Sequence, residues 1–345
     1  MENKLLPVSL SEIPSSSNIS NVHFYHGETL HFNNYDIALL HYEPELGRSF
    51  RKELYKLQVN AHGSLAFIDL GDAFAMTHDE IAKLVSSIVK NKCYPVLIGF
   101  PESLVISISK QWENEFLPHH VCWVNSTCNF NEVNPLCDHI FLKQQYFLGI
   151  QRQMSDMEIL ESINHNIHMS FISEYRKSAQ SIECLTRNSE LFYFNMQSVR
   201  HSDFPASKNP SGFFSEEIIS LAKSTGSSDR SLITMVSDWR NEDNDYDSTS
   251  SLLVAQMVWY MMEGYILKLK DKQTNIKNLI HYVVELKNTS IHLDFYKSEI
   301  SGKWWLQEPS VDDTIQGKLI PCTYEEYVKT VQENIPDRLM NLISN

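Results

Sequence analysis

The sequence predicts an α/β fold with a mostly parallel central sheet, and three observations predict it. Short apolar runs of strand length recur along the chain, and stretches of helical period separate them. Hydrophobic residues make up 42% of 345, ample for a buried core, beside an ordinary 21% charged.

The elements follow in order. Ser9 to Asn21, rich in Ser, Asn and Pro, reads as an extended lead-in. Strands are expected at Ile37 to Leu40, Ser64 to Leu70, Tyr94 to Gly99, His120 to Val124, His139 to Phe141, Leu191 to Phe194 and Leu232 to Val236. Thr77-His78-Asp79-Glu80 is a capping-box start, after which Ile81, Leu84, Val85, Ile88 and Val89 recur at helical spacing. Met157 to Arg176 is a second helical stretch with His165 and His168 on one face; without a carboxylate cluster nearby they read as surface or interface histidines. Ser251 to Lys270 is apolar nearly all round and is expected to be buried. Asp243, Asp245 and Asp247 before it lack the glycine and glutamate of a calcium loop and read as solvated charge favouring the helix dipole. Leu293 to Ser298 and Lys303 to Gln307 form a strand, turn and strand unit bent at Ser301-Gly302. On such a strand Trp304 and Trp305 face opposite sides, and the exposed one is a candidate partner contact. The competing reading packs both beneath a last helix, Thr323 to Asn334.

A formal charge of -14 and a pI near 5.4 argue against a nucleic-acid-binding surface, which carries a basic patch. No apolar stretch approaches the ~20 residues of a bilayer span. The N-terminus has no signal-peptide core, so a cytoplasmic location without membrane insertion is expected. The cysteines, Cys93, Cys122, Cys128, Cys137, Cys184 and Cys322, contain no C-x-x-C pair and read as reduced thiols. Cys122 and Cys128 lie near His119 and His120, but no second ligand pair of zinc spacing accompanies them.

A series of segments from about Tyr35 to Arg338 resembles the ureohydrolases, the arginase, agmatinase and formimidoylglutamase group, and most closely bacterial formimidoylglutamase-like proteins. Tyr35-Asp36-Ile37-Ala38-Leu39-Leu40 is similar to the family's first strand, and Arg51-Lys52-Glu53-Leu54-Tyr55-Lys56-Leu57 to the helix after it. Leu148-Gly149-Ile150-Gln151, Arg200-His201-Ser202-Asp203-Phe204-Pro205, Pro210-Ser211-Gly212-Phe213 and Ala255-Gln256-Met257-Val258-Trp259-Tyr260 follow in the family's order. The resemblance implies a three-layer α-β-α arginase-like fold, with residues 22–345 as a single domain after a 1–21 lead-in.

It also implies where two manganese ions would sit, and there the chain departs from the family. Paired divalent ions bridged by carboxylates lower the pKa of a shared water until hydroxide is available. The family supplies a histidine from a "GGDH" segment, an Asp-x-His-x-Asp run and an Asp-x-Asp pair. Here the first reads Gly99-Phe100-Pro101-Glu102, the second Asn125-Ser126-Thr127-Cys128-Asn129 and the third Asn195-Met196-Gln197. Of the former ligand positions Glu102, Asn125, Thr127, Asn129, Asn195 and Gln197, Glu102 alone carries a charge. Amides keep the shape and hydrogen bonding of the acids while removing the mutual repulsion of clustered carboxylates. The glycine-rich substrate loop is reduced to Gly47, and Asp238 stands as a remnant of the substrate-side acid, crowded by Trp239 and Arg240.

Three functions are weighed. The first is a catalytically inactive ureohydrolase-like protein serving as an interaction, scaffolding or ligand-binding subunit, with no confident catalytic residue, no metal and no cofactor, since most ligands for the family's Mn²⁺ are missing. The second is a metal-dependent hydrolase of amidine or guanidino C–N bonds with a site reorganised around Glu102 and Asp238. The third is a nucleophilic Cys128 or Cys93, which needs a base or positive field to hold a thiolate. A protein partner is expected for the first. The family's homotrimers and hexamers make a homo-oligomer an expectation by resemblance, which no residue here fixes.

Overall fold

The computed structural model describes residues 4–15, 21–63, 65–113, 119–128, 142–156, 167–237, 239, 248–273, 278–286, 292–308, 318–336 and 339–340. Its centre is a nine-stranded sheet: β1 (Val22–Phe24), β2 (Ile37–His41), β3 (Phe67–Asp72), β4 (Tyr94–Ile98), β5 (His119–Val124), β6 (Leu142–Ile150), β7 (Ile167–Phe171), β8 (Leu191–Asn195) and β9 (Ile233–Ser237). The strands lie in the order β1-β3-β2-β4-β9-β8-β5-β6-β7, and every pair is parallel.

Alternate residues of each strand enter two separate cores, which makes the layers visible in the sequence. Ile37 and Leu39 of β2 and Val96 and Ile98 of β4 pack with α1 (Pro44–Leu54), α6 (Ser215–Ser227) and α7 (Thr249–Gln273). Ala38, Leu40 and Leu97 pack on the other face with α2 (His78–Lys90) and α3 (Ser103–Glu113). Helices thus cover both faces of an all-parallel sheet, the three-layer α-β-α arrangement expected. Thr77 caps α2 with both halves of the capping box, and α7 buries Leu253, Val258 and Met261 against α6. Among the described residues no helix is long and apolar enough to cross a membrane.

Two stretches here depart from the sequence reading. The expected helix over 157–176 is a helix only from Ile172, as α4 (Ile172–Lys177), followed by α5 (Ala179–Thr186). Ile167 to Phe171 pair with β6, because Ile167, Met169 and Phe171 alternate at period two and pack onto one core. His168 therefore lies on a strand, stacked on Tyr146; His165 lies outside the described residues. β6 itself was not expected, since Lys143, Gln144 and Gln145 interrupt its apolar run. Gln145 is buried there because it accepts the indole N–H of Trp123 at 3.0 Å. The strand expected at 139–141 and the acidic run 243–247 lie outside the described residues.

Beyond α7 a second sheet, β10 (Ile280–Glu285), β11 (His292–Lys297), β12 (Trp304–Gln307) and β13 (Leu319–Cys322), is antiparallel throughout and is followed by α8 (Tyr324–Val331). Trp304 stacks on Tyr282 and Tyr327 inside its small core. Trp305 points the other way, yet is also buried. Its ring lies under the Arg187 guanidinium at 4.8 Å, and its N–H donates to Asp229 at 3.1 Å. The two tryptophans do face opposite sides, but neither is the exposed partner contact expected, because the second side is covered by the main body.

Candidate active-site cleft

The sheet order brings four segments remote in sequence into one row. Pairing aligns Ile98 with Val236, Val236 with Phe194 and Phe194 with Val124. The chain therefore leaves β4, β9, β8 and β5 at one level, through Gly99, Ser237, Asn195 and Asn125. The crevice at the carboxyl ends of parallel strands is where open α/β sheets bind ligands. A cavity of about 320 Å³ opens here. Tyr42, Phe100, Tyr193 and Trp239 supply aromatic walls, and Glu43 and Glu102 supply carboxylates.

Two contacts shape the cleft. Gly99 has φ +77°, a conformation that L side chains rarely adopt, and a Cβ there would meet Leu46 Cδ2 of α1 at 2.4 Å, so glycine suits this loop on both counts. Trp239 is 2% exposed, packs edge-on against Phe50 at 6.4 Å and belongs to the α1-side core, while its indole N–H has no acceptor. The large ring beside residue 238 fills space inside the fold.

The six positions singled out by the resemblance are placed as follows. Glu102 is half-buried in the turn leading into α3 and lines the cavity, as does Gln197. Asn125 is buried, and its Oδ1 accepts from the backbone N–H of Thr127 at 3.3 Å and from its hydroxyl at 3.4 Å. Asn195 repeats the motif: Oδ1 accepts the N–H of Gln197 at 2.8 Å and caps the short 3₁₀ turn Met196–Ser198. Gln197 uses both ends of its amide, Nε2 donating to the Ala206 carbonyl at 3.0 Å and Oε1 accepting from Lys208 N at 3.2 Å. Asn125, Thr127 and Asn195 are not among the residues lining the cavity. Asn129 and Asp238 lie outside the described residues. Among the described residues no group of three or more His, Cys, Asp or Glu converges as a metal ligand set.

On α1, whose Leu46 lines the cleft, Arg51 centres a cluster the sequence did not announce. Arg51, fully buried, donates from Nε to Asp69 at 2.9 Å, from Nη2 to Asp72 at 3.0 Å and to His41 Nδ1 at 2.9 Å, and from Nη1 to Glu12 at 2.9 Å. Tyr55 adds a hydroxyl to Asp69 at 2.7 Å. Because a guanidinium only donates, His41 Nδ1 is the acceptor and its proton sits on Nε2. Burial, and then the Arg51 charge, push His41 down to about 3. Burial works to raise Asp69, but the Arg51 charge and the hydrogen bonds from Arg51 and Tyr55 hold it below the ordinary carboxylate range. A Cβ at residue 47 would meet Asp72 Oδ1 at 2.5 Å, so Gly47 gives this cluster its room. Glu12 reaches it from within the expected lead-in, where Leu6 also bridges to Asp72. Sequence reasoning took Arg51 as a helix motif residue; its nearness to Asp69 and Asp72 follows only from the β2–β3 pairing.

The remaining candidates are less apt for chemistry. Burial, and then Asp36, push the Cys93 thiol up to about 12, away from the thiolate a nucleophile needs. Cys128 is fully buried. His119 packs edge-on to Trp112 at 5.5 Å, and burial followed by nearby Arg230 and Lys143 lowers His120 to about 4.

No protein-family model matches this chain. No curated protein matches it by sequence. Solved structures do match. The chain is similar to Trypanosoma cruzi formiminoglutamase with Mn²⁺ at a TM-score of 0.62 and 17% identity, over 69% of this chain and 95% of that one. It is similar to the agmatine ureohydrolase of Thermoplasma volcanium at a TM-score of 0.57 and 14% identity, over 77% and 99%. Proclavaminate amidino hydrolase from Streptomyces clavuligerus matches at 0.55 and 15%, over 67% and 92%.

Proposed function

From a chain that has the arginase or ureohydrolase fold, we infer a protein without two-metal hydrolytic chemistry that keeps the family's cleft for binding a small ligand. The observation that carries this reading is the engagement of the amides at the old ligand positions. Asn125 and Asn195 spend Oδ1 on their own loops, and Gln197 is tied at both ends to residues 206 and 208. An amide nitrogen is a donor and repels a cation, and a neutral amide oxygen compensates none of the charge of two dications. Glu102 alone cannot do so, and the described side chains do not fit a manganese pair. No hydrolytic step is therefore derived through one.

What the cleft offers is a hollow with aromatic walls and two carboxylates. A small organic cation suits it, since ring faces and carboxylates both attract positive charge. The role is that of a ligand-binding or interaction subunit.

Metal analysis of protein purified without chelator, then Mn²⁺ titration against thermal stability and hydrolysis of formimidoylglutamate, tests the reading. A folded state that binds the ion must gain stability. Substoichiometric manganese, an unchanged melting temperature and no hydrolysis above background are expected. Near-stoichiometric manganese with a stability gain and turnover would restore the hydrolase and make Glu102→Gln its first variant.

A further inference from the structure

We propose that a second cavity, at the carboxyl ends of β6 and β7, is a binding site for a small monocarboxylate with an apolar body. The cavity measures about 460 Å³ and lies between Gln151, Arg152, Phe171, Ile172, Arg176 and Ser211. None of its walls belongs to the cleft above, so the inference stands apart from the function proposed there.

Gln151 points to a ligand. It follows the last residue of β6, is 4% exposed, and has its amide oriented by two donors, Ser211 Oγ and Gln153 Nε2, both 3.0 Å from Oε1. The other end of the amide, Nε2, is buried without an acceptor. A buried N–H group of this kind is costly to leave unmade, and an acceptor in the cavity would satisfy it.

Two guanidinium groups determine the charge of that acceptor. Arg176 is already compensated: Glu217 takes it at 2.9 and 3.3 Å, the Gly212 carbonyl at 3.0 Å, and the Phe214 ring lies 4.3 Å beneath it. Arg152 rests over the Phe171 ring at 5.7 Å, and no acid among the described residues pairs with it. The site thus holds one uncompensated positive charge beside one orphaned amide donor, a combination that fits a singly charged oxyanion. The guanidinium fork matches the planar carboxylate. Ile150, Phe171 and Ile172 form apolar walls for the rest of the ligand. A phosphate dianion would leave excess negative charge in the same place.

Calorimetric titration of the full chain with benzoate tests this, with benzamide as the neutral analogue of the same shape and inorganic phosphate as the dianion. Saturable benzoate binding is expected, weaker by about tenfold for benzamide and by about tenfold in Arg152→Gln, whose side chain is exposed and whose fold is not at stake. Gln151→Met, which removes the orphaned donor and leaves only the exposed Ser211 and Gln153 without an acceptor, should weaken binding similarly. Absence of saturable binding by the unmodified chain overturns the proposal. So does equal affinity for benzamide, tighter binding of phosphate, or benzoate binding unchanged in both variants.

Discussion

Asn195 Oδ1 accepts the backbone N–H of Gln197 at 2.8 Å, so this side chain acts as a cap on its own loop. Replacing Asn195 by Ala removes the acceptor and should cost about 0.5–2 kcal/mol in urea unfolding, the range of a lost cap. Asn195→Asp keeps an acceptor in place and should stay within about 1 kcal/mol of the parent.

Arg51 is the single buried cation among Asp69, Asp72 and Glu12. Arg51→Met fills the space but leaves buried carboxylates without their partner, and stability should fall by about 3–5 kcal/mol. Arg51→Lys should be only a partial remedy, because an ammonium cannot reproduce the fork that serves Asp69 and Asp72 together. Equilibrium denaturation of both variants checks the order.

Protonation of His41 has a defined sign. Its folded-state value is lowered from 6.5 to about 3, so between those limits the unfolded chain binds a proton that the folded chain refuses. Stability contributed by neutral His41 is complete above pH 6.5 and is lost as pH falls toward 3, at up to about 1.4 kcal/mol per pH unit. Urea unfolding over this range should show the decline, and His41→Asn, which keeps an acceptor for Arg51 without a titrating proton, should flatten it.

Trp239 is a packing residue whose N–H has no acceptor. Trp239→Ala should cost about 3–5 kcal/mol by opening a void beside Phe50. Trp239→Phe should cost less than about 1.5 kcal/mol, because the lost ring volume is offset by removal of an unsatisfied buried donor. Thermal unfolding of the two variants separates shape from hydrogen bonding.

The parallel strands were legible because a strand buried on both faces is an unbroken apolar run: Ile37 to Leu40, Tyr94 to Ile98 and Leu191 to Phe194 needed no tertiary information. β6 was hidden by Gln145, whose polarity is satisfied only by Trp123 on the neighbouring strand. β7 was mistaken for helix because Ile167, Met169 and Phe171 continue into α4 without a breaker. In the cleft, motif order located Glu102 and Gln197, but not that Gln197 would turn its amide toward Ala206 and Lys208, a contact across a loop. The burial of Arg51 and Trp305 was equally silent, since each depends on partners far away in the chain.

The order of the strands has a kinetic consequence. β4 ends at residue 98, yet its neighbour β9 begins at 233, and β5, which ends at 124, pairs with β8, which begins at 191. Each such pairing closes a long loop before any contact rewards it, which makes the joining of these strands slow relative to local helix formation. The row Gly99, Ser237, Asn195 and Asn125 comes into being only when those closures are complete. The cleft is thus a late product of folding, and a chain arrested with its helices formed would present the aromatic and acidic walls on separate, unjoined pieces.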